Sequence, residues 1–333
     1  MTTTHHDVLI IGGGAAGLSA ATTLARSLRD VLVVDAGEPR NAPAHSAHNL
    51  LGREGVNPLE LLTAGRAEAE SYGARILQDR AVSVRREDGG FAVELGSANT
   101  ATARRLLLAT GLVDELPDVP GLREHWGRRV LHCPYCHGWE VRGRKIGVLA
   151  TTPMAMHQAL LFRQLSDRVT VLLHQLPGFE PEEAAQLEAI GVRTVPGRVV
   201  GVESLDAAGS VQGTAPDAGP GTGAAAEAGL GVVLEDGTRV DVDALAVGPR
   251  MVARAELYEQ LGGTLSEQPM GRFIETGPMG RTPLEGVWAA GNANDLSAMV
   301  SVAGGAGTMA AAAINADLAE EDARAAAARA AAV

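Results

Sequence analysis

The stretch LHCPYCHGWEVRG, residues 131–143, holds the only two cysteines of the 333-residue chain, Cys133 and Cys136, with His132 before the pair and His137 directly after it. Thiols at this spacing could bind a metal, staple the fold or exchange a disulfide for two thiols. A structural zinc site takes four ligands, normally from two separated pairs, and four neighbouring side chains cannot easily turn towards one ion, so no metal is expected. A bridge across two residues closes a short loop and removes little entropy from the unfolded chain, which makes stability a poor reason for it. Redox exchange remains. A thiolate is the competent nucleophile, and an imidazole with a pKa near ~6.5 can take a proton from an incoming thiol and later return one. Cys133, Cys136 and His137 are therefore the expected catalytic residues. His132 is a candidate assistant, or equally a packing and hydrogen-bonding residue.

An exchanging pair needs an electron partner, and the N-terminal segment supplies a place for one. In DVLIIGGGAAGLSAATTLARS an apolar run, Val8 to Ile11, leads into Gly12-x-Gly14-x-x-Gly17 and an alanine-rich helical stretch. The glycines give a tight turn, close approach of backbone to a pyrophosphate and close packing of helix on strand. A second apolar run, VLVVD, ends in Asp35, placed to accept hydrogen bonds from a ribose. Residues 74–108 read as strand-rich, and Pro117, Pro120 and Gly121 mark a crossover between domains.

A second strand, turn, helix and strand follow in RKIGVLATTPMAMHQALLFRQLSDRVTVLLH. Here Ala150, Thr152 and Ala155 stand where a dinucleotide fingerprint would have its three small positions, and a β-carbon at the first two would push a pyrophosphate away. The next strand runs into His174-Gln175, without an arginine pair for a 2′-phosphate. This unit is expected to keep the fold and lose the nicotinamide cofactor. His157 and His174 within it read as structural. Residues 206–230 form an Ala/Gly/Pro-rich insertion, expected to be a flexible hairpin loop, and the alanine-rich C-terminus reads as a helix extension or a frayed tail.

Composition bounds the partners. With 46% hydrophobic and 20% charged residues the chain can bury real cores, and a net charge of −12 without a basic stripe argues against nucleic acid. The N-terminus has neither a basic signal region nor an apolar run long enough to span a membrane, so a cytoplasmic protein is expected.

DVLIIGGGAAGLSAA, LLLATG, Cys133-Pro-Tyr-Cys136 and TPLEGVWAAGN, in this order, resemble the low-molecular-weight thioredoxin reductase family of FAD-dependent disulfide oxidoreductases over nearly the whole chain. The resemblance implies an α/β fold of two Rossmann-like nucleotide-binding domains. The FAD domain, residues 1–115 plus 247–333, would be split by an inserted degenerate NAD(P)-binding-like domain, 116–246, that carries the CxxC. It also implies a homodimer and a second cysteine that faces the flavin. Gly12, Gly14, Ala15, Ala16, Gly17, Asp35 and Ala36 would hold the ADP half of FAD. Arg40, Asn41, His48, Asn49, Val82, Ala109, Thr110, Gly111, Gly291, Asn292, Met299 and Val300 would line the rest, with the helix after Asp295 pointing its N-terminus at the flavin ring.

Three departures narrow the expectation. His137-Gly138 replaces the family's Asp-Gly, the second fingerprint and its arginines are absent, and Asn292 stands for an aspartate. Together they resemble the branch of dithiol oxidases of the gliotoxin and holomycin type, to which CPYCHGWE is similar. The expected function is therefore FAD-dependent oxidation of a small-molecule dithiol, with O2 as acceptor and H2O2 as product. The alternatives are a reductase that uses NADPH or another donor to serve a thioredoxin-like protein, and a non-catalytic FAD-binding redox sensor.

Overall fold

Val8 to Ile11 is apolar without interruption because both faces of the strand Thr3–Ile11 are covered, the pattern of a central parallel strand. The computed structural model describes residues 3–205 and 229–332. The chain divides into two units, residues 1–114 with 251–333, and residues 115–250. The α/β fold expected from the motifs is the fold observed. Of the Ala/Gly/Pro-rich insertion, residues 206–228 lie outside the described residues.

In the first unit the strands run Arg75–Gln78, Val31–Asp35, Thr3–Ile11 and Thr100–Leu108, all parallel, and then Gly90–Leu95 and Ala81–Glu87 as an antiparallel hairpin. The hairpin occupies the first half of the Thr100–Leu108 edge, and Val287–Ala289 pairs in parallel with its second half. Ile11 sits level with Val34 and Leu108, and Leu108 with Ala289. Four strand ends therefore arrive together, and the loops leaving them form one cluster at the carboxyl edge of the sheet, where open α/β sheets bind ligands.

Two helices cover one face of this sheet. Ala15–Arg26 buries Ala16, Ala20, Ala21 and Leu24, and Val300–Ala331 buries Ala303, Gly307, Ala310, Ala311, Ile314 and Leu318, one stripe at helical spacing. The helices meet almost backbone to backbone, since a β-carbon on Gly307 would stand 2.0 Å from the Ala16 carbonyl oxygen, and one on Gly17 would stand 1.9 Å from the Gly12 carbonyl oxygen in the turn before its own helix. Small residues at the crossing let both helices lie close to the sheet and to each other. At the far end an ionic cluster ties the long helix down. Arg105 pairs with Asp317 at 2.6 Å and with Glu321, Arg104 with Glu321 at 2.7 Å and Asp322 at 2.6 Å, and Arg29 with Asp322 at 2.7 Å. The alanine-rich C-terminus thus continues as helix to Ala331.

The second unit has a fully parallel five-stranded sheet: Arg193–Val195, Val169–Leu172, Ile146–Leu149, Ala244–Val247 and Val130–Leu131. Its central strands Ile146–Leu149 and Ala244–Val247 are buried at every position, again as continuous apolar runs. The helix Ala155–Arg163 packs Ala155, Met156, Ala159 and Phe162 into the core beneath them. A three-stranded antiparallel sheet, Val199–Ser204, Leu230–Leu234 and Arg239–Val242, completes the unit.

Candidate active site

The redox pair lies in the second unit, just after the edge strand Val130–Leu131. Pro134 fixes the first position of a one-turn helix, Pro134–His137, for which Cys133 is the extended N-cap residue. The Cys133 carbonyl accepts from the amides of Cys136 and His137, both at 3.2 Å, and the Pro134 carbonyl accepts from Gly138 at 2.8 Å. This turn brings Cys133 and Cys136 together, both half-buried. A side chain at 138 would collide with the Pro134 carbonyl oxygen at 2.2 Å and with Leu165 at 2.3 Å, which explains Gly138 after the histidine. His137 Nε2 is a buried atom. His132 Nδ1 donates to the Val247 carbonyl at 3.2 Å, and the His132 carbonyl accepts from the buried Gln158 side chain at 2.8 Å. A carbonyl only accepts, so that bond fixes a proton on Nδ1 and holds the ring against the neighbouring strand.

The glycine turn of the first unit joins the carboxyl-edge cluster. Gly12 donates to Val34 O at 2.8 Å, Ala109 to Ile11 O at 2.8 Å, and Ala290 to Leu108 O at 3.0 Å, so the ladder continues one residue into each loop. It places Gly12 to Gly17, Asp35 and Ala36, Ala109 to Gly111, and Gly291 and Asn292 side by side. Thr110 Oγ1 donates to Arg254 O at 2.6 Å, and Gly111, at φ +70°, accepts from the Arg254 amide at 3.0 Å. These residues fit a dinucleotide. A β-carbon on Gly13 would lie 2.6 Å from Asp35 Oδ2, whereas one on Gly14, the N-cap of Ala15–Arg26, would meet nothing within 4 Å, so bare backbone borders open space at a helix N-terminus. Met299 and Val300 begin the long helix as its N-cap and first residue.

Two further residues, Arg66 and Asp114, organise this edge without any local signal in the sequence. Arg66, on the helix Pro58–Ser71, holds Asp35 Oδ2 at 2.5 Å. Asp114, its side chain only 6% exposed, grips Arg40 through two bonds of 2.7 Å. Arg40 Nη1 donates in turn to Asn292 Oδ1 at 3.4 Å. The Asn292 amide nitrogen donates to the carbonyls of Asp295 at 3.0 Å, Leu296 at 3.4 Å and Ala298 at 3.0 Å. Carbonyls at one end and a guanidinium at the other fix the orientation of the amide. Asn292 thus locks the turn that leads into the long helix by sharing its two N–H groups among three carbonyls, and an aspartate could not donate to any of them. Asn41 closes a local turn through its carbonyl and Ala44 N at 3.0 Å. His48 and Asn49 are drawn to Glu54, through His48 Nδ1 at 2.6 Å and the Asn49 amide at 2.9 Å. Val82 is exposed on the strand Ala81–Glu87.

The second unit's own glycine-poor turn carries side chains instead. Ala150 is fully buried, and Thr151 Oγ1 donates across the turn to Gly248 O at 3.1 Å. His174 is buried at φ +51°, and its Nδ1 accepts the Val199 amide at 3.1 Å. Burial, with Arg198 nearby, holds the His174 pKa below its ordinary value, so the ring is a neutral structural acceptor. Among the described residues no group of three or more His, Cys, Asp or Glu side chains could hold a metal ion.

Residues 6–312 match the pyridine nucleotide-disulphide oxidoreductase family. The chain belongs to this family. It is 33% identical over 295 residues to the thioredoxin reductase tcpT of Claviceps purpurea, covering 86% of each chain. It is 31% identical to the thioredoxin reductase sirT of Leptosphaeria maculans, again over 86% of each. Among solved structures it is similar to HlmI, with a TM-score of 0.85 and 39% identity over 98% of this chain and 96% of that one. An oxidoreductase from Agrobacterium tumefaciens gives 0.83 and 36%, over 95% and 99%. As a member of this family the protein is an FAD-binding disulfide oxidoreductase, the cofactor and activity class expected from its motifs. No helix among the described residues is long and apolar enough to cross a membrane.

Proposed function

We propose that the protein oxidises a small dithiol to a cyclic disulfide, with Cys133 and Cys136 as the exchanging pair and dioxygen as the final acceptor. The observation that carries this reading is the glycine-poor turn of the second unit. Ala150, Thr152 and Ala155 put β-carbons where a dinucleotide fingerprint has glycine or small residues, and Thr151 bonded to Gly248 and His174 folded onto Val199 occupy the strand ends beside them, which disfavours a nicotinamide dinucleotide's pyrophosphate there, while the CxxC and its histidine are intact. This supports entry of electrons through the cysteines.

One substrate thiol loses its proton to His137 and attacks Cys133 of the oxidised pair. The bond between the cysteines breaks, a mixed disulfide forms, and Cys136 leaves as a thiolate. The second substrate thiol attacks the substrate sulfur of the mixed disulfide, which releases Cys133 and the cyclised disulfide. The glycine turn, Asp35 and the carboxyl-edge loops would hold FAD, which would supply the two-electron acceptor needed to restore the pair, with O2 as the final acceptor and H2O2 as the product. His132, its Nδ1 proton committed to Val247, orients the segment before Cys133. Placing residues 1–115 with 247–333 as the FAD domain and 116–246 as the redox domain, in a cytoplasmic homodimer, belongs to the same reading.

The names of the 33% and 31% identical relatives favour the reverse direction, a reductase serving a thioredoxin-like protein. Anaerobic titration separates the two. The purified holoprotein is mixed with dithiothreitol in one cell and NADPH in another while the flavin's visible band is followed. Bleaching by the dithiol alone, reversed by air with peroxide released, is the expected result. Prompt bleaching by NADPH would refute the oxidase reading.

A further inference from the structure

The CxxC segment carries two aromatic side chains that the exchange chemistry does not use. Tyr135, between the cysteines, and Trp139, just beyond them, are 65% and 66% exposed. Tyr135 lies within the helical turn Pro134–His137 and Trp139 two residues past its end, three residues from Cys136. Leaving an indole in water forgoes the burial that normally drives such a ring into a core or an interface. Trp139 is also held in place. The Arg142 guanidinium carbon lies 3.9 Å from its ring centroid, and Arg142 Nη1 donates to the Trp139 carbonyl at 2.6 Å. One indole face is thus backed by a cation anchored to the same residue. A guanidinium there offsets the negative π surface, so the other face suits a neutral or electron-rich flat ring and not a second cation.

We propose that Trp139, backed by Arg142, determines specificity by stacking on a flat ring that carries the two thiols, which makes the preferred substrate class a planar cyclic dithiol over a flexible open-chain one. This rests on the dithiol oxidase reading above. Stacking would hold the ring while first one sulfur and then the other reaches the cysteines. Two S–H bonds break and one S–S bond forms, and the two electrons and two protons leave to dioxygen as hydrogen peroxide.

The test compares kcat/KM of the holoprotein for 1,2-benzenedimethanethiol and for dithiothreitol, in the unsubstituted protein and in Trp139→Ala, Trp139→Phe and Arg142→Gln. The ratio of the two substrates cancels any general loss of activity. The expected result is a preference for the flat dithiol that falls about 10-fold in Trp139→Ala, equivalent to about 1.4 kcal/mol. It should be largely kept in Trp139→Phe and fall partway in Arg142→Gln, with the change in KM rather than kcat. An unchanged ratio in Trp139→Ala, while both dithiols still turn over, would overturn this proposal and leave the oxidase reading standing. Failure of both dithiols to reduce the flavin of the unsubstituted protein would overturn the oxidase reading and this proposal with it. Electron exchange with a thioredoxin that exceeds both dithiols and is lost in Trp139→Ala would assign the aromatic face to a protein partner and overturn the small-ring assignment.

Discussion

Replacing Asn292 by aspartate changes two atoms of consequence, an NH2 for an oxygen and a neutral group for a charge. The carbonyls of Asp295, Leu296 and Ala298 now receive hydrogen bonds from that nitrogen at 3.0, 3.4 and 3.0 Å. Asn292→Asp would leave them facing an acceptor. The NH2 has two hydrogens to share among the three carbonyls, and losing each bond costs about 1 kcal/mol or more, which gives about 2–3 kcal/mol. The new carboxylate would gain attraction to Arg40, which is already bound twice by Asp114. That pair is partly exposed, so the offset is under about 1 kcal/mol. The net loss is about 2 kcal/mol, which at an unfolding entropy of about 2.1 cal/mol/K per residue lowers the melting temperature of a 333-residue chain by about 3 °C. A thermal scan of the holoprotein that follows flavin fluorescence on release measures it. Asn292→Ala, which removes the same donors without the carboxylate's attraction to Arg40, should lose at least as much. Melting of Asn292→Asp within one degree of the unsubstituted protein, or above it, would show that the amide does not hold this turn.

Arg66→Met removes the cation that fixes Asp35 Oδ2 at 2.5 Å and should weaken FAD binding about 10-fold, read as the dissociation constant in a fluorescence titration of apoprotein; an unchanged constant would show that Arg66 does not position the carboxylate. His174 is expected to make stability fall with acid: its folded pKa is lowered by burial and by Arg198, so the contribution is complete above the unfolded value near ~6.5 and is lost as pH falls from there through the lowered folded value, when a protonated ring can no longer accept from Val199. His174→Asn keeps an acceptor, suits φ +51°, and should flatten the decline in melting temperature between about pH 6.5 and 5. Part of that slope will remain, because burial and Arg129 lower the His125 pKa as well. An acid limb identical to that of the unsubstituted protein would refute the assignment.

The residues that announce themselves in the sequence are those whose role is local. Gly12, Gly14 and Gly17 are legible because a turn from strand to helix and a close backbone crossing have a short fixed spacing, and Cys133 and Cys136 because a thiol pair works only across about one helical turn. The alternation of apolar runs and helical stretches likewise determined the α/β fold with two nucleotide-binding-type units. What tertiary structure decided was the pairing of residues far apart in the chain: Arg66 with Asp35, Arg40 with Asp114 and Asn292, and His174 with Val199. Nothing near Asp114 in the sequence marks a carboxylate that is nearly enclosed. Its burial depends on strands that meet only when the sheet forms, and its charge is tolerated there only because Arg40 arrives from another loop. Asn292 shows the same limit: its sequence context invites a cofactor ligand, and only the folded turn reveals three carbonyls waiting on its amide. Spacing along the chain specifies which backbone shapes are possible, whereas the partner of a buried polar group is chosen by whatever the fold brings within hydrogen-bonding distance.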